Sequence, residues 1–562
     1  MKSKSITSVR LLGSGREQRL KTNYSLVSKT PLLIAFFLFS FLGFAQEDAW
    51  VYFNDKPNAQ TFLDNPLSML TQRALDRRTA QGIALDVSDA PIEQSYIDQI
   101  SAVEGIEVKA QSKWLNCLHV RGNVADIDAL VNLTFVNHIR YANHSLNAKM
   151  PQQATINSVN KQLDTQETFA YGNSLNQVSM LNAHLLHQQD FTGSGKIIAV
   201  MDSGFSAVNT IIPFNRMFNN GLYLGGYNYV GGNTDVFSTH NHGTMALSCM
   251  AAFVDGQLVG TAPDAQYYLY ITEDVLSENP VEESYWVQAA EEADRVGADV
   301  ISTSLGYFGY DNPNYSYSYA DMTGDKAFAS QGANIAFSKG MIVLASAGNS
   351  GNSANPHVGV PAEATNVLAV GAVQFNEQYA TFSSIGPSFD GRVKPDVMAK
   401  GQGTTLANTS GNVVTASGTS FSCPVMAGAI ASFWQAIPWA SNQQVVDFVK
   451  QSADRFLNPT NQYGYGIPDL QLALNMAQLS VNDNTVGRFL VYPNPTNNVI
   501  SVSFPNGFEV ANMSLFNNVG QMVLEKEIFS NQSLSLEQLT SGMYYYKIKS
   551  NTLEQSGKII KH

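Results

Sequence analysis

Lys196-Ile197-Ile198-Ala199-Val200-Met201-Asp202-Ser203-Gly204 is the stretch on which the fold turns. Its apolar run is continuous rather than alternating, as expected of a strand covered on both faces in a parallel sheet. It closes on an acid and a turn glycine. Runs of the same kind recur at Ala298-Asp299-Val300-Ile301-Ser302, Met341-Ile342-Val343-Leu344-Ala345 and Val367-Leu368-Ala369-Val370, with helical stretches at 281–295 and 323–339 between them. The pattern predicts an α/β fold over 180–476, a doubly wound and mostly parallel sheet with right-handed crossovers. A site in such a sheet forms beyond the carboxyl ends of the strands.

On either side the pattern changes. Residues 46–150 alternate short β-like runs with amphipathic helices: a strand over 49–53, helices over 64–80, 93–102 and 124–132, a hairpin from Val108 to Val120 and a last strand from Phe135 to Tyr141. This is a small α+β unit. A polar segment, 151–179, joins it to the central domain, and 477–487 reads as a second linker. Residues 488–562 carry alternating runs, Val499-Ile500-Ser501-Val502-Ser503-Phe504 and Tyr544-Tyr545-Tyr546-Lys547-Ile548, between Asn-rich turns, which predict a small β-sandwich. At the N-terminus, scattered Lys and Arg precede an apolar run from Pro31 to Ala45 that ends in Gly43-Phe44-Ala45. That run is short for a membrane span and has a signal-peptidase-type end, so 1–45 reads as a signal peptide cleaved before Gln46.

The 562 residues exceed what one core supports, and the net charge of −13 excludes a protein that grips a phosphate backbone. Only Cys117, Cys249 and Cys423 occur; the last two either pair or stay as buried thiols, and their spacing gives no metal site.

Three segments carry chemistry, each at a strand end or helix start. Asp202 ends the opening strand. His242, in Asn241-His242-Gly243-Thr244-Met245-Ala246, precedes an apolar helix. Ser420, in Ser417-Gly418-Thr419-Ser420-Phe421-Ser422-Cys423-Pro424, opens the helix 421–436, with Pro424 expected in a first turn that has no donor to lose. Taken singly these are a turn acid, a structural histidine and a helix cap. Taken together they supply a nucleophile, a base and a group that orients the base. Asn349, after Ala345-Ser346-Ala347-Gly348, adds an amide that can donate to an oxyanion, as can the Ser420 N–H.

The blocks Asp202-Ser203-Gly204, His242-Gly243-Thr244, Ala347-Gly348-Asn349 and Gly418-Thr419-Ser420 with Pro424 resemble, in order, the four signature blocks of the subtilase family. The resemblance covers about 180–476. It implies a serine endopeptidase with Asp202, His242 and Ser420 catalytic, Asn349 in the oxyanion hole, and protein or peptide substrates. Ser304-Leu305-Gly306 resembles the family's substrate-binding edge strand, and Val358-Gly359-Val360-Pro361-Ala362 the wall of its S1 pocket. With Gly359 in that wall and Ser350, not an acid, after Asn349, a large apolar P1 side chain is expected. Met245 stands where the family often has a second histidine, and Phe-Ser-Cys-Pro follows a serine where Met-Ala-Ser-Pro is commoner.

No cofactor is implied for catalysis. Many subtilases hold structural calcium, and Asp321 and Asp325 are the candidates here. The tract Tyr307, Tyr310, Tyr315, Tyr317 and Tyr319 either lines subsites or packs on the domain. Residues 46–150 resemble subtilase pro-regions, which assist folding and inhibit the enzyme until cut. Residues 488–562 resemble the type IX secretion sorting domain, through Tyr492-Pro493-Asn494-Pro495, Ser541-Gly542-Met543-Tyr544 and a basic end, Gly557-Lys558-Ile559-Ile560-Lys561. The whole reads as a secreted zymogen. The competing reading, a catalytically silent surface-binding protein on the same fold, calls for a lost triad member, and none is lost.

Overall fold

The computed structural model describes residues 46–147, 169–485 and 489–562, except 493, 495, 505–507, 530–531 and 551–552. The expected signal peptide, 1–45, lies outside the described residues, as do much of the 151–179 linker, the end of the 477–487 linker, Pro493 and Pro495.

The N-terminal unit runs β1 (Glu47–Phe53), α1 (Ala59–Leu63), α2 (Gln72–Ala80), α3 (Gln94–Ser101), β2 (Glu107–Ser112), β3 (Cys117–Gly122), α4 (Val124–Ala129) and β4 (Val136–Tyr141). Its antiparallel sheet has the order β2-β3-β1-β4. Alternation along β1 divides its side chains between two faces. Val51 and Phe53 join Ile100 and Ile127 in this unit's own core, while Trp50 packs into the next domain. A single helix over 64–80 does not form. Pro66 disfavours helical geometry at Asn65, so a short 3-10 turn at Pro66–Ser68 intervenes and α2 starts afresh on a Thr71 cap, whose hydroxyl accepts from Ala74 N.

The central domain continues with α5 (Leu175–Ser179), α6 (Ala183–His187), β5 (Ile197–Asp202), α7 (Asn215–Asn219), β6 (Tyr223–Asn228), α8 (His242–Ala251), the short pair β7 (Phe253–Val254) and β8 (Leu258–Val259), β9 (Gln266–Ile271), α9 (Val281–Val296), β10 (Val300–Thr303), α10 (Phe328–Ser338), β11 (Ile342–Ser346), β12 (Val367–Val373) and β13 (Val397–Lys400). A hairpin, β14 (Thr404–Ala407) and β15 (Val413–Ala416), leads to α11 (Thr419–Ala436), α12 (Asn442–Gln451) and α13 (Leu470–Thr485). The seven main strands form one parallel sheet of order β13-β12-β11-β10-β5-β9-β6. Successive residues of β5 serve opposite cores: Ile198 and Val200 meet α8 and α11, whereas Ile197, Ala199 and Met201 meet α9 and α10. The helix expected from 323 begins only at Phe328, because Gly324 is left-handed (φ +91°) and Ala327 is extended. Tyr171 and Val178, which the sequence places in a linker, are buried in the α8–α11 core.

The C-terminal unit comprises β16 (Leu490–Tyr492), β17 (Val499–Ser503), β18 (Val510–Phe516), β19 (Met522–Phe529), β20 (Ser533–Ser535), β21 (Gly542–Ser550) and β22 (Leu553–Lys561). Two sheets, β16-β17-β20 and β19-β18-β21-β22, share a core of Phe489, Ile500, Met513, Leu515, Ile548 and Ile559.

The N-terminal unit sits on α9 and α10. The Trp50 indole stacks on Phe328, with ring centroids 4.8 Å apart, and donates to Ser284 Oγ at 2.9 Å. Glu291 of α9 caps the β2–β3 turn, accepting from Ser112 Oγ (2.7 Å), Lys113 N (3.2 Å) and Trp114 N (3.0 Å). Asp294, also on α9, is fully buried between Arg77 and Arg78 of α2. Arg78 also pairs with Asp89 at 2.7 Å, and Lys339 reaches Asp89 at 3.1 Å. Breaking a buried network by removing one partner costs far more than the network contributes as a whole. Replacing Asp294 with Ala should therefore destabilise the full chain by about 3–5 kcal/mol, measured by urea unfolding, and loosen the N-terminal unit first in hydrogen exchange.

Candidate active site

Direct contacts tie the carboxyl ends of β5, β9, β10 and β11 to the N-termini of α8 and α11: His242 with Asp202, Thr272 with Asp202, Ser304 with Ser420, Asn349 with Thr419, and the His242 ring 5.9 Å from that of Phe421. Asp202 is the last residue of β5 and is fully buried. Its Oδ1 accepts from Ser203 N at 2.7 Å and from His242 Nδ1 at 2.8 Å; its Oδ2 has no partner among the described residues. His242 is the first residue of α8. The helix approaches β5 closely because residue 243 is glycine: a Cβ there would lie 2.9 Å from Asp202 Cβ and 2.5 Å from Gly204 O. The Asp202 carboxylate raises the His242 pKa above the usual imidazole value, outweighing the opposite effect of burial.

Ser420 is the second residue of α11, not a residue ahead of it, since the helix starts at Thr419. Pro424 therefore lies in the helix interior and not in a donor-free first turn. A residue there would normally donate its N–H to the carbonyl four positions back, that of Ser420. Ser304 Oγ takes over that acceptor at 2.9 Å, and in return Ser420 Oγ donates to Ser304 O at 3.3 Å. The serine hydroxyl is thus parked on the segment after β10, and no hydrogen bond joins it to His242 among the described residues.

Asn349 follows β11 across a left-handed Gly348 (φ +101°). Its Oδ1 accepts from Thr419 N at 2.9 Å and from Thr419 Oγ1 at 3.1 Å, which leaves the Nδ2 end free to face outward. Gly348 N donates to Thr419 Oγ1 at 3.2 Å and completes the clamp. Ser304, Leu305 and Gly306 extend beyond β10 outside any ladder, so this backbone edge can pair with a ligand strand. Tyr307 and Val360 exchange backbone hydrogen bonds at 2.8 and 3.2 Å, which draws Gly359 against Tyr307 and the Phe308 ring.

The structure resolves two points that the residues alone left open. The tyrosine tract packs inward: Tyr310 and Tyr317 donate to Glu283 at 2.7 Å each, and Tyr315 to Glu47 of the N-terminal unit at 3.0 Å. Cys249 and Cys423 are both free and buried, and burial pushes the Cys423 thiol up to about 12. Asp321 accepts from Ser318 N and Oγ and faces the Lys326 ammonium, the contacts of a turn cap.

Two features beside the site went unread in the sequence: the Thr419 clamp on Asn349, and Glu273, two residues beyond β9. Glu273 Oε1 accepts from Tyr307 OH at 2.6 Å, while Thr272 N donates to Asp202 O at 3.2 Å. The signal was present in Tyr267-Tyr268-Leu269-Tyr270-Ile271-Thr272-Glu273, an apolar run closing on an acid like the one that ends in Asp202.

A parallel α/β sheet with a buried Asp holding a partly exposed His, a serine at a helix N-terminus and an asparagine anchored beside that serine is the arrangement of a serine hydrolase. Comparison with known proteins narrows this. Residues 193–466 match the Subtilase family, 48–160 the peptidase S8 propeptide domain of Bacteroidota, and 490–562 the secretion system C-terminal sorting domain. Subtilisin NAT of Bacillus subtilis subsp. natto is 31% identical over 299 residues, covering 53% of this chain and 70% of that protein. Subtilisin BL of Lederbergia lenta is 30% identical over 297 residues, covering 53% of this chain and 97% of that one. Among solved structures, the epidermin leader peptide processing serine protease of Staphylococcus aureus shares the fold at a TM-score of 0.51 and 18% identity, over 77% of this chain and 98% of that one. The chain belongs to the subtilase family and is a subtilisin-like serine endopeptidase with a propeptide domain. Its sorting domain marks it as secreted or held at the cell surface.

Removing the Ser304 hydroxyl leaves the buried Ser420 carbonyl without a donor. Ser304→Ala should cost about 1–3 kcal/mol in denaturant unfolding, measured in a Ser420→Ala background to prevent self-digestion. In that background His242 should titrate above the ordinary imidazole range by NMR, and Asp202→Asn should bring it down, so that the neutral ring persists to lower pH.

Proposed function

We propose that this protein hydrolyses peptide bonds through an acyl-enzyme on Ser420, with Asp202 and His242 completing the triad and Asn349 donating to the oxyanion. The observation that carries this reading is the 2.8 Å bond from His242 Nδ1 to Asp202, which leaves Nε2 as the basic nitrogen of the ring. For reaction the Ser420 hydroxyl turns from Ser304 O to His242. The bond it gives up is long at 3.3 Å, so the exchange costs little.

Nε2 then takes the hydroxyl proton as Oγ bonds to the substrate carbonyl carbon, and the carbonyl π pair moves onto oxygen. Asn349 Nδ2 and the Ser420 N–H receive that charge; both stand ready, the first because Thr419 holds the other end of the amide, the second because N-terminal helix N–H groups have no carbonyl to bond. Collapse breaks the C–N bond and His242 returns its proton to the leaving amine. Water repeats the sequence on the ester. A substrate strand pairs with Ser304–Gly306, its P1 side chain in the apolar space beside Gly359 and Phe308.

In this reading residues 46–150 inhibit the enzyme until they are cut, and 488–562 hand it to type IX secretion machinery. The alternative, a silent binding protein, is disfavoured because such a protein would be expected to have lost a triad member, and Asp202, His242 and Ser420 are all present. An esterase or peptide ligase would use the same groups, and the products separate those readings.

A fluorophosphonate should label the processed wild type and not Ser420→Ala; equal labelling would falsify the nucleophile assignment. Asn349→Ala should lower kcat on a peptide substrate by about 100- to 1,000-fold with KM little changed.

A further inference from the structure

The ends of β5 and β9 flank one side of the Ser304–Gly306 segment, and β11 flanks the other, since β10 lies between β5 and β11 in the sheet. Asn349 and the Val358–Val360 segment belong to the β11 side, as the Tyr307–Val360 pairing shows. Asp202, His242 and Glu273 belong to the β5–β9 side. Successive side chains of an extended strand point to opposite faces. A peptide paired with Ser304–Gly306 that directs P1 toward Gly359 therefore directs P2, the residue before it, toward His242 and Glu273.

Glu273 is half-buried there with one oxygen committed and one not. Tyr307 OH (2.6 Å) and Thr272 Oγ1 (3.1 Å) both donate to Oε1, while Oε2 has no hydrogen-bond partner among the described residues. No Lys or Arg pairs with it among the described residues. Nearby Glu282 differs, because its two oxygens receive Asp274 N (2.8 Å) and Asn279 N (3.0 Å) and cap a turn. Tyr307 is fixed by the backbone of Val360, so Glu273 is held in place against the cleft.

We propose that Glu273 is a specificity-determining residue that selects Lys or Arg at P2. The proposal rests on the catalytic reading above. Burial raises the Glu273 pKa, and a substrate ammonium or guanidinium in hydrogen-bond reach of Oε2 would offset that desolvation by stabilising the carboxylate. The selection concerns P2 alone and leaves the apolar P1 preference in place.

The test uses two peptides that share a P1 Phe and differ only in P2, Lys against Met, with the processed full-length enzyme. Wild type should favour the Lys peptide by about tenfold or more in kcat/KM, as expected of a hydrogen bond to a charged group. Glu273→Gln should reduce that ratio toward one, and Glu273→Asp should retain part of it. A ratio near one in wild type, or an unchanged ratio in Glu273→Gln, overturns the proposal. The same pair of peptides is measured for Kd against Ser420→Ala, which reads P2 selection without catalysis. Equal Kd values there overturn the selection even where hydrolysis is normal. A selective Kd that depends on Glu273, in an enzyme that resists fluorophosphonate, upholds the subsite and refutes the nucleophile instead.

Discussion

The exchange of hydrogen bonds between Ser304 and Ser420 holds the active-site architecture in register. It exists because Pro424 cannot donate to the Ser420 carbonyl, which leaves a buried acceptor at the start of α11. A net hydrogen bond contributes only about 0.5–1.5 kcal/mol, but an orphaned buried carbonyl costs about 1–3, so the pairing acts as a requirement more than a bonus. Satisfying it pins the helix start to the end of β10. The next residue back, Thr419, then lies where it can hold Asn349 at the end of β11. One proline thus joins Ser420, the Ser304–Gly306 edge and Asn349, three groups drawn from distant parts of the chain.

Much of this was legible in advance, and the reasons are physical. β5, β10, β11 and β12 announce themselves because a strand buried on both faces needs no polar alternation. β9 and β6 lie toward an edge of the sheet, where Tyr227, Tyr229 and Tyr268 are only half-buried, and their mixed aromatic and glycine pattern matches neither template well. Asp202, His242, Ser420 and Asn349 were readable as a set because each stands at a strand end or helix start. Glu273 stands at such an end too, but a lone acid after a strand is most often a turn residue, and only the Tyr307 hydroxyl gives it a fixed place. Helix starts were the least legible: α10 begins late, where left-handed Gly324 and extended Ala327 delay it, and α11 begins early, at Thr419. The proline looked like a boundary marker because its lost bond is compensated by a residue more than a hundred positions away.

The two helices that back the sheet also carry the propeptide domain, and this links latency to the cleft. Glu283 and Glu282 are neighbours on α9. The first receives Tyr310 and Tyr317, whose loop also touches Glu47 and Asp48 of the propeptide through Tyr315, while the backbone carbonyl of the second lies 3.4 Å from Tyr307 OH beside Glu273. The same short tyrosine-rich loop therefore contacts the propeptide at one end and adjoins the Ser304–Gly306 edge at the other. Folding of the propeptide domain against α9 and α10 and ordering of that loop draw on shared contacts.

The chemistry of that propeptide contact also suits its removal. A permanent interface is commonly apolar, since apolar area once buried gains nothing from returning to water. Here the contact combines Asp294 between two arginines and Glu291 under a turn with two buried aromatic anchors, Trp50 and Trp114. Buried ions contribute little net stability when paired, because their desolvation nearly cancels their attraction, but mispairing them is severely penalised. Such an interface is selective for its own partner without being strong in proportion to its size. Once the connecting chain is cut, every charge it held returns to water, and hydration recovers most of what the separated pairs lose. An aliphatic interface of equal area would have no such compensation. The buried charges on α9 are consistent with an inhibitor that must fit uniquely while it assists folding and then leave.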